Sequence, residues 1–223
     1  MAKRWRAAVL FILCLTNCTG IPRSPLKSEY NIPLYGNFTE KQVEILDKLL
    51  IVLPENVVQS IASITVNNDV SHYENTSVVG HCHFLCGKLC FQSSVVASSS
   101  LWHEAAHAYS NYLKMRGSHF FYLWQRLAGN VYHKNYPAES YPRDGVLTKY
   151  GSQSYFEDIA ETVEEFYASL RLVDEIVCRQ SAFSKIKTSD LRYWDKLELL
   201  RDFGFITLSD YIKFAEKGLM PIR

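Results

Sequence analysis

Two histidines and a glutamate in the stretch from Trp102 to His107 have the spacing of a metal site. The stretch reads WHEAAH, which is an HExxH pattern. If it is helical, His103 and His107 lie on the same face, one turn from each other. Two imidazoles placed in this way can chelate one zinc ion, and Glu104 lies beside the first of them. The pattern therefore predicts His103 and His107 as zinc ligands and Glu104 as the general base that takes a proton from an attacking water.

The residues around the motif favour the helix that this spacing requires. Three serines at positions 98–100 offer N-cap hydroxyls, alanines occur inside and after the motif, and Gly117 can end the helix. The alternative is an amphipathic helix in which the two histidines and the glutamate occur together by chance. HExxH on a helix is specific enough for us to prefer the zinc site.

A catalytic zinc ion needs a third protein ligand and an open position. Leu113 stands where an HExxHxxGxxH pattern would have its third histidine, so that pattern is excluded. A glutamate on a later helix is the remaining common solution. The segment Tyr155 to Arg179 has an apolar stripe at helical spacing, and Glu157 on it follows His107 by fifty residues. Glu157 is therefore a candidate for the third ligand.

This second segment resembles a motif of the anthrax lethal factor family of zinc metallopeptidases, which includes the Pro-Pro endopeptidases. In that family the HExxH helix is followed by YG and then by ExxAE. Here Tyr150 begins the YG, and Glu157, Ala160 and Glu161 match ExxAE at the family's spacing. The resemblance covers about residues 98–166. It implies Glu157 as third ligand, Tyr150 as a hydroxyl that stabilises the oxyanion or leaving group, and Glu161 as hydrogen-bond acceptor of a ligand histidine.

The family resemblance also implies a function. It predicts a zinc-dependent endopeptidase of the gluzincin type, with a zincin-like domain that hydrolyses a protein or peptide substrate. We also expect the protein to be a monomer. One alternative is a non-catalytic surface lipoprotein or binding module that retains a structural zinc ion in a protease-like fold. Another is a latent enzyme whose irregular segment 130–151 acts as a lid. The sequence leaves the substrate and the cleavage specificity open.

Helical and extended patterns along the chain predict an α+β fold. We expect a small mixed sheet that packs on the motif helix, and a mainly helical C-terminal half. A hairpin just before the motif helix either pairs with extended substrate above the metal or simply packs on that helix. The other predicted helices are 39–51, 57–61, 119–127, 155–179, 190–203 and 209–218, and the predicted strands are 63–66, 77–79 and 89–96.

The start of the chain has the composition of an export signal. Three basic residues lie within the first six positions, and the apolar run Ala7 to Leu15 is too short to span a bilayer as a helix. The stretch LTNC at 15–18 resembles a bacterial lipobox, which implies cleavage before Cys18 and acylation of its thiol. Asn17 departs from the small residue usual there. The prediction is an envelope lipoprotein anchored to the membrane by lipid, with ordinary secretion as the alternative.

The domain prediction follows from these patterns. Residues 1–17 are a lipoprotein-type signal peptide, residues 18–37 with three prolines are a tether, and residues 38–223 are a single domain. With 48% hydrophobic residues this domain can bury a substantial core. Removal of the signal leaves 21 Lys+Arg against 23 Asp+Glu, a net charge near −2, because three of the 24 cations are lost. Nothing in this charge favours a nucleic-acid partner.

Four cysteines remain after the signal and Cys18 are set aside. They are Cys82, Cys86, Cys90 and Cys178, and an even count in an exported chain predicts two disulfides. The three possible pairings stay open. The competing interpretation is a second metal site built from the GHCH stretch at 80–83 with the two cysteines that follow it. We prefer the disulfides because thiols in an oxidising compartment more often pair with each other.

Overall fold

The computed structural model covers most of the predicted domain. The predicted signal peptide 1–17, the predicted lipidation site Cys18, the predicted strand 77–79 and Cys178 lie outside the residues that it describes. In the part of the chain that is described, no helix combines the length and the apolar character needed to cross a membrane. The described residues are 30–66, 80–83, 86–92, 95–96, 98–134, 136–170, 182–186 and 190–218.

Four strands of the described chain form one mixed sheet in the order β1-β2-β4-β3. The strands β1 and β4 each pair in parallel with β2, whereas β3 and β4 are antiparallel. Among the described strands β3 is therefore an edge. The strand bounds are β1 Leu34–Tyr35, β2 Ser63–Val66, β3 Gly80–His83 and β4 Lys88–Phe91.

Two predictions from the sequence, one of a strand and one of the tether, differ from the structure. The predicted strand 89–96 was too long, because β4 ends at Phe91 and the amide of Val95 donates to the carbonyl of Gln92 rather than to a neighbouring strand. Part of the predicted tether 18–37 belongs to the folded body. Ile32 and Leu34 are buried, and β1 pairs with β2. Prolines suggested a linker, but extended chain with alternating apolar residues also fits a strand at the edge of a sheet. The folded body therefore begins by residue 30.

Helices account for most of the described chain, and each predicted helix has a counterpart. The predicted helix 155–179 is described only as far as residue 170. The fold is thus α+β with a small mixed sheet and a mainly helical C-terminal half, as predicted. The helix bounds are α1 Glu40–Ile51, α2 Glu55–Gln59, α3 Ser100–Met115, α4 Phe120–Ala128, α5 Tyr155–Leu170, α6 Arg192–Asp202 and α7 Leu208–Glu216.

Helix α3, which carries HExxH, lies in the interior and packs against α5 and β3. Ala105 and Ala106 are completely buried, so the small side chains let neighbouring elements approach. Trp102 is 1% exposed, and its indole Nε1 donates to the carbonyl of Leu49 at the end of α1. Beyond the motif, the hydroxyl of Tyr109 donates to the carbonyl of Phe203. These two contacts lie on either side of the HExxH motif and hold that part of the helix in place.

Candidate metal centre

Three predicted ligands converge on one point. The Nε2 atoms of His103 and His107 are 3.1 Å apart. The Oε2 atom of Glu157 lies 3.2 Å from the first and 3.3 Å from the second. The three donor atoms therefore form a nearly equilateral triangle, built by two residues of α3 and one of α5.

This triangle has the dimensions of a tetrahedral zinc site. Zn–N and Zn–O bonds of about 2.0–2.1 Å with tetrahedral angles separate two ligand atoms by about 3.3–3.4 Å. Two neutral imidazoles and one carboxylate are also a donor set that zinc accepts in catalytic sites. The residues present therefore fit a metal ion of this kind. They are one of the groups of the described chain whose ligand atoms are close enough to hold one.

Glu157 reaches this point because of where α5 begins. The amide of Glu157 donates to the hydroxyl of Ser154, which caps the helix, so the ligand lies in its first turn. A carboxylate is favoured electrostatically at a helix N-terminus. The packing of α5 on α3 then carries this first turn to the histidines.

The opposite ring nitrogen of His103 faces two further carboxylates. Its Nδ1 lies 3.3 Å from Oε2 of Glu164 and 3.7 Å from Oε1 of Glu161. The hydroxyl of Ser99 donates to the other oxygen of Glu164 at 2.6 Å. The role that the sequence analysis gave to Glu161, acceptor of a ligand histidine, is therefore filled more closely by Glu164 in this geometry.

Glu161 is instead linked to the loop that carries Tyr150. The hydroxyl of Thr148 donates to Glu161 at 2.7 Å and accepts from the amide of Gly151 at 2.9 Å. Burial, with an added contribution from Glu164, raises the pKa of Glu161 to about 7. This carboxyl therefore fastens the turn at residues 148–151 to α5.

Glu104 is a buried carboxyl at the edge of the triangle. It is 5% exposed, and its Oε2 atom has no hydrogen-bond partner among the described residues. Burial raises its pKa, although His103 and His107 act in the opposite direction. A buried carboxylate oxygen without a hydrogen bond raises the free energy of the folded protein. This atom can therefore accept a hydrogen bond from a ligand or a water molecule.

Tyr150 lies beside His103. Its ring centroid is 5.9 Å from that of His103, and the residue is 48% exposed. Burial of the hydroxyl, and then the charges of Glu157 and Glu104, raise the pKa of Tyr150. The phenol therefore stays protonated near neutral pH and can donate a hydrogen bond.

The charges of the metal-free site explain how its donor atoms approach each other. Burial alone lowers the pKa of His103, but Glu157 and Glu164 outweigh it and raise this pKa to about 10. Burial raises the pKa of Glu157, but His103 and His107 reverse this and hold it well below its usual range. Without a metal, the His103 ring is therefore protonated, and its positive charge offsets the negative charge of the carboxylates.

An open cleft of about 350 Å³ gives access to this centre. Strand β3 forms one wall, and the backbone of Gly80 approaches α3 closely. A Cβ atom there would lie 2.8 Å from the Phe91 ring and 3.3 Å from Cγ of Glu104. The absence of a side chain thus lets the edge strand run directly beside the predicted base. The cleft is lined by Gly80, His81, Cys82, Glu104, His107, Asn111, Tyr150, Ser154, Phe156 and Glu157.

A buried ionic cluster supports α5 next to Glu157. The carboxylate of Asp158, 1% exposed, accepts from Lys196 on α6, from Trp124 at 2.9 Å and from Tyr132 at 2.6 Å. Lys196 also donates to the carbonyl of Gly145 at 2.7 Å. Burial lowers the pKa of Lys196, although Asp158 opposes this shift. The cluster ties α5 to α4, α6 and the segment that leads to Tyr150.

Sequence reasoning overlooked Glu164 and the Asp158 cluster. A signal for Glu164 was present, because positions 157, 161 and 164 recur at helical spacing and share one face of α5. No comparable signal joined Asp158 to Lys196, which is 38 residues away.

The cysteine predictions stay predictions. Cys82, Cys86 and Cys90 have thiols rather than disulfides in the structure, and Cys178 is not described. Burial, followed by the charge of Glu104, raises the pKa of the Cys82 thiol.

Comparison of the chain with protein-family models, with curated proteins and with solved structures finds no significant match. The geometry of the site and the motif spacing therefore carry the functional conclusion.

Proposed function

We propose that this protein is a zinc-dependent endopeptidase of the lethal factor type, with His103, His107 and Glu157 as the zinc ligands. The observation that carries the proposal is the triangle of three donor atoms, 3.1–3.3 Å apart. A zinc ion held there supplies a Lewis acid that polarises the scissile carbonyl and makes water a better nucleophile at neutral pH.

Glu104 is the base in this proposal. Its carboxylate lies at the edge of the cleft, and an oxygen without a partner among the described residues can accept a proton from the attacking water. Burial makes this carboxylate more basic than an exposed one. The protonated acid then delivers the proton to the leaving amine, which completes general acid–base catalysis with one residue.

Tyr150 supports the charge that develops on the substrate. Its raised pKa keeps the hydroxyl protonated, and its ring lies beside that of His103. A hydrogen bond from this phenol to the carbonyl oxygen strengthens as negative charge builds up in the transition state. Glu161 and Thr148 act through the loop, because they hold the turn on which Tyr150 lies.

The substrate class follows from the cleft wall. Strand β3 is an edge among the described strands, and it runs beside Glu104 at Gly80. An extended peptide that pairs with this edge would bring a main-chain carbonyl next to the donor triangle. Protein or peptide substrates in extended conformation are therefore the proposed class.

The alternative, a binding module with a structural zinc ion, fits the site less well. Structural zinc sites are closed by four protein ligands, whereas this triangle has three and opens into a cleft. A buried glutamate oxygen with no partner in the described chain would also have no role in such a module. Export and acylation at Cys18 remain predictions from the sequence alone.

The test uses the full chain, its zinc content and a peptide library. The parent protein should bind one zinc ion and cleave library peptides. Glu104→Gln should keep the zinc and lose at least about 10²-fold in cleavage rate, the usual contribution of a general base. His107→Ala should lose the zinc as well. If Glu104→Gln cleaves as fast as the parent, or if the zinc-loaded parent cleaves no peptide, the proposal is wrong.

A further inference from the structure

Strands β3 and β4 bring two further histidines and a cysteine together. In the antiparallel register, His81 lies opposite Cys90 and His83 lies opposite Lys88. Side chains two residues apart on a strand point to the same face. His81, His83 and Cys90 therefore share one face of the hairpin.

Cys82 belongs to the other face of the same strand. Its neighbour Gly80, two residues away, is the residue whose Cβ position meets Cγ of Glu104. The charge of Glu104 and a hydrogen bond from Asn111 also act on the pKa of Cys82. Cys82 thus faces α3, and the alternation of the strand separates it from the histidines.

The donor atoms on the shared face are already close. One ring nitrogen from each of His81 and His83 and the Sγ atom of Cys90 all lie within 4.8 Å of one another. The two imidazole rings meet edge to face, with centroids 4.9 Å apart. The backbone pairing of β3 with β4 holds these three side chains in register.

We propose that His81, His83 and Cys90 form a second metal site, which takes a thiophilic transition-metal ion of the zinc class. Two imidazoles and one thiolate are borderline and soft ligands, which favour such ions over magnesium or calcium. This site lies outside the triangle of His103, His107 and Glu157, and it does not depend on the proposed function.

Only side-chain rotation is needed to close the site. Tetrahedral zinc with bonds of about 2.0–2.3 Å separates its ligand atoms by about 3.3–3.7 Å. The donor atoms lie within 4.8 Å of one another, at most about one ångström beyond this range. His83 is exposed and His81 is partly exposed, so these two side chains can rotate toward Cys90.

The charges on this face are compatible with a metal. Two neutral imidazoles and one thiolate bring a single negative charge to the metal ion. Lys88 is the cation on this face, and a Cys90 thiolate offsets it.

The proposed site can bind a metal only when Cys90 is reduced. If all four cysteines Cys82, Cys86, Cys90 and Cys178 pair in two disulfides, every possible pairing uses Cys90. Oxidation would then remove the thiolate, so metal binding and disulfide formation exclude each other at this hairpin.

Cobalt(II) distinguishes this site from the first one. A thiolate ligand gives cobalt a sulfur-to-metal charge-transfer absorption in the near ultraviolet, and the donor triangle contains no sulfur. We expect this band when Co²⁺ is added to the metal-free, reduced full chain, and we expect zinc to abolish it. Cys90→Ser should lose the band. Cys82→Ser, on the opposite face, should keep it.

Two further variants separate metal binding at this hairpin from misfolding and from metal binding at the triangle. His107→Ala, which disrupts the triangle, should retain the band, so failure of the proposed peptidase and failure of this site are separable. His83→Ala replaces an exposed side chain and should weaken cobalt binding, measured by this band, at least about tenfold. The proposal is overturned if the reduced parent shows no band, if Cys90→Ser retains it, or if His83→Ala leaves the affinity unchanged.

Discussion

The Nδ1 atom of His103 lies 3.3 Å from a carboxylate oxygen of Glu164, one turn beyond the position that the family motif implies. A carboxylate at Nδ1 keeps the proton on that nitrogen and leaves the lone pair on Nε2 for a metal. Ser99, just before α3, donates to the same carboxylate and fixes its orientation. His103 is thus held between Glu157 on one side of its ring and Glu164 on the other.

Removal of this acceptor should weaken zinc binding. We expect Glu164→Ala to lower zinc affinity by about 10–100-fold, the usual effect of losing a partner of a ligand histidine. Glu161→Ala is the matched comparison and should lower affinity less, because Glu161 is 3.7 Å from His103 and accepts from Thr148. Competition with a chelator measures both affinities. A larger loss of zinc affinity in Glu161→Ala than in Glu164→Ala would show that Glu161 is the acceptor of His103.

Tyr150→Phe tests the hydroxyl beside the triangle. The change removes one donor to the developing oxyanion and should lower kcat by about 10²-fold, with KM and zinc content little changed. The matched control is Tyr155→Phe. Tyr155 packs in an aromatic cluster with Phe121 and Phe156, so loss of its hydroxyl should leave kcat near the parent value. Steady-state kinetics on a peptide that the parent cleaves decides between them. An unchanged kcat in Tyr150→Phe would remove this residue from the mechanism.

The grouping of the three proposed metal ligands could be predicted because local geometry fixes most of their positions. His103 and His107 are adjacent on any helix that contains both, so their spacing alone places them together. Helix geometry alone does not place Glu157, because only the packing of α5 on α3 brings it to the histidines. The motif spacing supplied that information, which periodicity alone does not contain.

The remaining differences arise where distant parts of the chain meet. Glu164 shares a face with Glu157 and Glu161, but nothing local shows which carboxylate lies nearest His103. The partnership of Asp158 with Lys196 depends on how α6 packs. Leu34, in the predicted tether, is buried in the core, where its strand pairs with β2.

The buried Asp158–Lys196 pair gives a stability prediction. Each side chain is 1% exposed, so Lys196→Met leaves a buried carboxylate without its cation. We expect this change to lower the free energy of unfolding by about 3–5 kcal/mol. Asp158→Asn combined with Lys196→Met removes both charges but keeps an acceptor for Trp124 and Tyr132, and should recover part of the loss. Urea denaturation of the metal-free proteins measures both. Equal losses in the single and double variants would show that packing, not charge, is responsible.

Proton release on zinc binding tests the electrostatics of His103. In the metal-free protein the pKa of His103 is raised to about 10, so the ring is protonated at pH 8 and must lose a proton to ligate zinc. The raised pKa stabilises the metal-free fold fully below about pH 6.5, and this contribution is lost as pH rises through about 10. We therefore expect release of about one proton per zinc at pH 8, and less as pH approaches 10.

Calorimetric titration in buffers with different ionisation enthalpies measures the number of protons released. Glu164→Ala at saturating zinc is the control, because loss of this carboxylate lowers the pKa of His103 and should reduce proton release at pH 8. Zinc binding without proton release in the parent at pH 8 would mean that His103 is already neutral. Glu157 and Glu164 would then not hold a proton on this ring.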